Sequence, residues 1–156
     1  MREASPAPTP ADFVFRLHDF NWELQGSTVY QLSADGTLLH LYPVSQRVEG
    51  STQTEWHEAR TTLPPDAVAE FRGLLDAFGA LRPRYVDPEV DDGEATTFWL
   101  RTDAGLQEVS CQNRCDPAAI ATLTWLRERA TRIPEPHTPR PGLRPGQAWE
   151  GAADSR

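Results

Sequence analysis

Three times in this chain a run of residues reaches a glycine-bearing turn and a second run comes back from it, the pattern of consecutive antiparallel strands. The turns are Asp35-Gly36, Glu49-Gly50 and Asp103-Ala104-Gly105. Before the first turn, Thr28, Tyr30 and Leu32 share one side of a strand; after it come Leu39 and Leu41, then Pro43. An Asp-Gly pair between two apolar runs is a strong hairpin signal, because such turns need positive φ. An earlier strand is read from Phe13, Phe15 and Leu17, which alternate with Val14, Arg16 and His18. The polar stretch Ser45 to Gln53 turns the chain at Glu49-Gly50 and returns it through Thr54 to Thr62. There Trp56 stands alone among Glu55, His57, Glu58 and Arg60, which suits an edge strand guarded by charge. Phe98 and Leu100 begin the last hairpin, which returns from Leu106 to Cys111.

Two segments change period from two to 3.6. Leu63-Pro64-Pro65-Asp66 opens a helix, since proline fits the first turn and Asp66 and Glu70 complement the positive end of its dipole. Val68, Phe71, Leu74, Leu75 and Phe78 form its apolar stripe, and Gly79 is placed to cap it. Asp116 and Pro117 open a second helix with the stripe Ile120, Leu123, Leu126, Ala130 and Ile133. The offsets of Val68, Phe71, Leu74 and Phe78 repeat in Ile120, Leu123, Leu126 and Ala130, and each helix follows a hairpin. A duplicated ββα unit is therefore one reading; the other is that any two amphipathic helices share such offsets. Between the units, Arg82 to Glu94 holds two prolines and several acids and reads as a surface loop.

The expected architecture is α+β: an antiparallel sheet of about six strands with two helices on one face, in the order ββββα-ββα. Residues 1–12 read as a flexible N-terminal segment and 13–133 as a single domain. Residues 134–156, with Pro134, Pro136, Pro139, Pro141 and Pro145, read as a disordered tail.

Charge narrows the partners. The net charge is -8, every basic residue is arginine, and hydrophobic residues make up 38%. An acidic chain lacks the cationic cluster that counterion release from nucleic acid demands, so basic protein partners are favoured. The chain holds no apolar run of the ~20 residues needed for a membrane span. Residues 1–12 also lack the apolar core of a secretory signal, so the chain as written reads as cytoplasmic. Ala4 to Pro10 nevertheless has the composition of a spacer behind a cleaved signal or lipid anchor, and a start site placed too far downstream makes the same chain an exported one.

Cys111 and Cys115 are the only cysteines. Placed at a strand end and a helix entry, they suit a disulfide in an oxidising compartment and reduced thiols in a reducing one. A low-pKa thiol beside Arg114 at the helix start is a redox alternative, but the spacing is not Cys-x-x-Cys. Zinc needs further ligands, and His18, His40, His57 and His137 show no mutual spacing. Asp87, Glu89 and Asp91 imitate the first positions of a calcium loop, yet Asp92 stands where glycine belongs and Phe98 where a bidentate glutamate belongs. His57 and Glu58 are adjacent on a strand and point to opposite faces. The sequence therefore assigns no catalytic, cofactor-binding or metal-ligating set. Trp56, Trp99 and Trp125 remain as candidate partner-binding residues, because aromatic side chains anchor interfaces.

Ala34-Asp35-Gly36-Thr37 closing a hairpin, Leu63-Pro64-Pro65-Asp66 opening a helix, Phe78-Gly79 ending it, and Thr102 to Ser110 leading into a short helix together resemble small bacterial α+β domains, often exported or lipid-anchored. The resemblance spans about residues 13 to 133 and implies no activity and no site residues. The leading expectation is a non-enzymatic protein-binding or accessory domain, in its sharper form an inhibitor- or immunity-type protein meeting a basic partner. The alternatives are a thiol-based redox protein or enzyme using Cys111 and Cys115, and a structural piece of a cell-envelope assembly.

Overall fold

A computed structural model describes residues 12–21, 26–87 and 94–141. The elements in chain order are β1 (Val14–Asn21), β2 (Gly26–Ser33), β3 (Thr37–Val48), β4 (Ser51–Thr62), α1 (Pro65–Phe78), β5 (Arg84–Val86), β6 (Glu94–Thr102), β7 (Gly105–Gln112), α2 (Pro117–Ala130) and β8 (Thr138–Arg140). The described strands form one sheet ordered β5-β7-β6-β1-β2-β3-β4-β8, antiparallel throughout except where β5 runs parallel to β7. The β3–β4 hairpin that precedes α1 and the β6–β7 hairpin that precedes α2 flank the central β1–β2 pair.

Strand alternation decides which side chains meet the helices. Phe15 stands opposite Leu32 and Leu100, and Leu17 opposite Tyr30 and Phe98, so these residues share one face. Phe71, Leu75 and Phe78 of α1 and Leu123, Leu126 and Ala130 of α2 join them in the main core. At its centre the Phe15 ring meets Phe71 at 5.3 Å and Phe78 at 5.2 Å, both edge-on, the arrangement aromatic quadrupoles favour. On the opposite face Val29, Leu41 and Trp56 form a second, small cluster.

Among the described residues there are eight strands where the sequence suggested six, and their order is ββββα-βββα-β. Both additions are three residues long, too short to carry a period-two signature. β5 lies inside the stretch read as a surface loop. Its Tyr85 is buried, its hydroxyl accepts the Arg82 amide at 3.0 Å, and the Arg82 guanidinium lies over its ring. Ser110 N–H donates to Pro83 O and Asp87 N–H to Gln112 O, stitching the segment to β7. β8 falls within the stretch read as a tail, where Trp56 pairs with Arg140 and Glu58 with Thr138.

Two turns explain the register. Gly36 has φ +97, and a Cβ there would sit 2.5 Å from Leu63 O, so the first hairpin turn doubles as the seat of the chain entering α1. Glu49 and Gly50 both have positive φ, 52 and 81, the conformation of a two-residue hairpin turn that lets pairing run to its very end. Hence β4 begins at Ser51 rather than near Thr54, and the polar stretch around the turn is strand.

Helix α1 buries the expected Val68, Phe71, Leu75 and Phe78, with Leu74 half-buried. Its cap at Gly79 is right-handed, φ -60, so glycine is not required there by conformation. Helix α2 starts as read, with Asp116 accepting the Ala118 amide at 2.9 Å. Its buried face is different: Ala119, Thr122, Leu123, Trp125, Leu126 and Ala130 are inside, while Ile120 is 42% exposed. The match between Val68 and Ile120 on which a duplicated unit drew is therefore lost in packing, because Trp125 pulls the helix round toward α1.

Candidate functional site

The three tryptophans are placed unequally. Trp125 is buried in the joint between the helices: its ring is 4.9 Å from Phe71, its Nε1 donates to Glu70 Oε1 at 2.7 Å, and the Arg129 guanidinium lies 3.7 Å above it. Trp56 is 4% exposed and belongs to the small cluster with Val29 and Leu41. Trp99 is half-buried and donates from Nε1 to Glu108 Oε1 at 3.0 Å. Two of the three rings are thus packed within the protein itself. Trp22 and Trp149, like Glu89 and Asp91 of the acidic loop, lie outside the described residues.

Cys111 and Cys115 stand at disulfide-bonding distance, with Cα atoms 5.1 Å apart, where β7 hands the chain to α2. Cys111 is buried in the core and Cys115 packs against its edge. The joint pins strand to helix. His57 and Glu58 point to opposite faces, as strand geometry requires: His57 lies beside Tyr42, whereas the Glu58 carboxylate accepts from Arg60 Nε at 3.0 Å and from Arg140 Nη1. Among the described residues no group of three or more His, Cys, Asp or Glu side chains could hold a metal ion.

The unforeseen feature is at the root of the β3–β4 hairpin. β2 pairs with β3 only from Leu38 to Leu41, whereas β4 pairs with β3 along its whole length, from Thr37↔Thr62 to Val48↔Ser51. Pro43 supplies the reason, since it offers no amide to a neighbour on the β2 side. Beyond it, β3 and β4 continue as a two-stranded arm of roughly 20 Å, at ~3.3 Å per residue. Residues 45–54 of this arm are all exposed.

Three of the four histidines gather where the arm leaves the sheet. His40 is stacked on Tyr30 at 4.7 Å and tilted against Tyr42 at 4.8 Å; Tyr42 also faces His57 at 5.8 Å and His137 at 5.6 Å. The Tyr42 hydroxyl hydrogen-bonds His137 Nδ1, and His137 Nε2 lies 3.2 Å from Ile133 O. Only one tautomer satisfies both contacts with a neutral ring: Nε2–H donates to the carbonyl and bare Nδ1 accepts the phenol proton. His57 Nε2 is 3.4 Å from Glu55 Oε1, in ion-pair range without a hydrogen bond, and has no hydrogen-bond partner among the described residues.

Burial dominates the electrostatics here. It holds His40 down to about 4, assisted by the nearby His137, and it raises the Tyr42 phenol, assisted by Glu135. Tyr30 is also raised by burial, against the pull of its hydrogen bond with Arg127. Further along this face Arg127 Nη2 reaches Asp19 Oδ2 at 3.4 Å, and Thr96 Oγ1 donates to Asp19 Oδ1 at 2.7 Å. His18, the fourth histidine, is on the other face, bonded to Ser27 and lowered by burial.

The sequence carries a faint trace of this cluster. His40 and Tyr42 are two apart on one strand, and His57 joins them through the Glu49-Gly50 turn, which makes Tyr42 its direct partner. Counting register back from that turn finds the pair. Nothing local announces His137, which arrives from beyond α2.

None of the described helices is long and apolar enough to cross a membrane. No protein-family model matches the chain, and no curated protein matches it in sequence.

Proposed function

We propose that this is a non-enzymatic protein-binding domain that takes an extended, basic segment of a partner as an added strand along Ser51–Glu55 of β4. The observation that supports this is the outer side of the arm, which no described strand covers. Among the described residues β8 pairs with β4 only at Trp56, His57 and Glu58. In an antiparallel ladder hydrogen-bonded pairs alternate, and the pair flanking a two-residue turn is bonded. Counted from Val48↔Ser51, the N–H and C=O groups of Thr52 and Thr54 therefore point away from β3. Natural edges are blunted by charge, proline or a bulge, and the run Ser51-Thr52-Gln53-Thr54 has none of the first two.

Strand addition supplies main-chain hydrogen bonds, and side chains set its selectivity. About four such bonds at ~1 kcal/mol net each amount to no better than millimolar affinity. Charge then makes the difference. Glu55 at the inner end of the edge and the net charge of -8 favour a basic strand.

The test uses a seven-residue peptide alternating threonine and arginine, its aspartate counterpart, and a backbone N-methylated form of the first. Amide chemical shifts of the ¹⁵N-labelled full chain are the readout. The basic peptide should shift Thr52 and Thr54, the other two should not, and Thr54→Pro should remove the response. Equal shifts from the acidic peptide, or none at Thr52 and Thr54 from any peptide, sink the reading. Because the Thr54 amide faces away from β3, the proline variant should remain folded, losing about 1 kcal/mol or less.

A further inference from the structure

We propose that the histidine cluster around Tyr42 is a proton-operated latch on β8: protonation of His40, packed against the tyrosine that holds His137, releases Thr138–Arg140 from β4 and lengthens the open edge from Ser51–Glu55 to Ser51–Glu58. Its purpose rests on the strand-pairing reading above, while the latch itself is a property of the chain alone.

Two contacts on opposite faces of the sheet hold β8. On one, His137 bonds the Tyr42 hydroxyl and the Ile133 carbonyl; on the other, Arg140 pairs with Glu58, which also holds Arg60. The strand between them has only three residues, so its ladder to β4 is short. β8 thus depends on its flanking side chains more than on its ladder.

The groups facing the cluster are Tyr30 from β2, His40 and Tyr42 from β3, Glu55 and His57 from β4, and Glu135 and His137 from the segment after α2. Asp19 of β1 and Arg127 of α2 lie beyond Tyr30. The carboxylates of Glu55 and Glu135 favour a charge here. Burial among aromatic rings and the crowding of three imidazoles oppose it, and for His40 the opposition wins. The latched state therefore excludes a proton that a solvated imidazole accepts at the ordinary value of 6.5.

The sign follows directly. To the extent that release of His137 and β8 opens His40 to solvent, the released state binds more protons than the latched state between pH about 6.5 and about 4, so acidification favours release. One proton corresponds to at most about tenfold per pH unit. Above the interval the latch is closed, and below it no further loss comes from His40. Tyr42, already raised, keeps its proton throughout.

The experiment is amide hydrogen exchange of the full chain from pH 7.5 to 4.5, corrected for intrinsic exchange. By the same alternation, the β4 amides of Trp56 and Glu58 face β8. Their protection should fall by up to about tenfold per pH unit below 6.5, while amides of the β1–β2 pair keep theirs. His40→Phe, which preserves the stack between two tyrosines and cannot titrate, should flatten the profile. His137→Gln should lower protection at Trp56 and Glu58 already at pH 7.5. Constant protection across the range, loss shared equally by β1 and β2, or an unchanged slope in His40→Phe each overturn the latch. Peptide binding at Thr52 and Thr54 is scored separately, so a failed latch and a failed strand-pairing reading give different results.

Discussion

Replacing Trp125 by alanine tests whether this ring is core or partner anchor. It is 7% exposed, packs on Phe71, hydrogen-bonds Glu70 and lies beneath Arg129, which itself reaches Glu70 at 2.9 Å. Truncating a buried Trp to Ala costs about 3–5 kcal/mol through lost burial and the cavity left behind. The polar share is smaller. Glu70 is 61% exposed on its side chain, so its hydrogen bond contributes about 1 kcal/mol and the Arg129 contact about 0.5–1. Trp125→Phe, which keeps a ring against Phe71, should therefore lose only about 1–2 kcal/mol, and Trp125→Ala about 3–5. Urea unfolding followed by far-ultraviolet circular dichroism gives both values, provided the denaturant slope is unchanged. A loss below about 1 kcal/mol for the alanine variant would refute the packing argument and return Trp125 to the list of surface anchors.

Gly36→Ala should destabilise by about 2–4 kcal/mol, since alanine meets both the positive φ and the Leu63 carbonyl; Gly50→Ala, with φ +81 and open space around it, should cost only about 1. Comparing the two midpoints in urea separates clash from backbone strain. Ile120→Ser should change stability by no more than about 0.5 kcal/mol, whereas Leu123→Ala should cost about 2–5; an equal cost would restore the original stripe. Reducing the Cys111–Cys115 pair should cost only about 2 kcal/mol, the chain-entropy value for so short a loop, read as a shift in urea midpoint with and without dithiothreitol.

The parts of the fold that were legible are those in which one local rule decides. Phe15 and Leu17 alternate because one sheet face is buried, and Asp116-Pro117 caps because the first amides of a helix need an acceptor. The misread parts depend on a distant partner. Ile120 fits the 3.6 period as well as Trp125 does, and only the position of Phe71 and Glu70 on α1 decides which of them turns inward. β5 exists because β7 offers an unused edge, and Tyr85 alone carries its burial. The histidines looked scattered because sequence distance hides register: the turn brings His57 opposite Tyr42, the ring that also meets His40, and His137 comes in from across α2.

The distribution of prolines argues that the outer side of the arm is left open by selection of residues and not by default. Pro43 removes the amide that β3 would show on the side where β2 stops, and Pro139 does the same in the middle of β8, the last strand of the sheet. At the opposite end β5 is cut to three residues and carries Arg84. Each of these is a known way of keeping a sheet from adding foreign strands. Thr52 and Thr54 face outward with no proline and no charged neighbour between Ser51 and Thr54, on a ribbon with no core of its own, although a two-stranded ribbon is marginal in water. Among the described residues the other edges are guarded and this one is not, so the open ladder lies where an incoming strand would complete the arm, and on the proposed latch the histidine cluster at the arm's root would set how far that ladder extends.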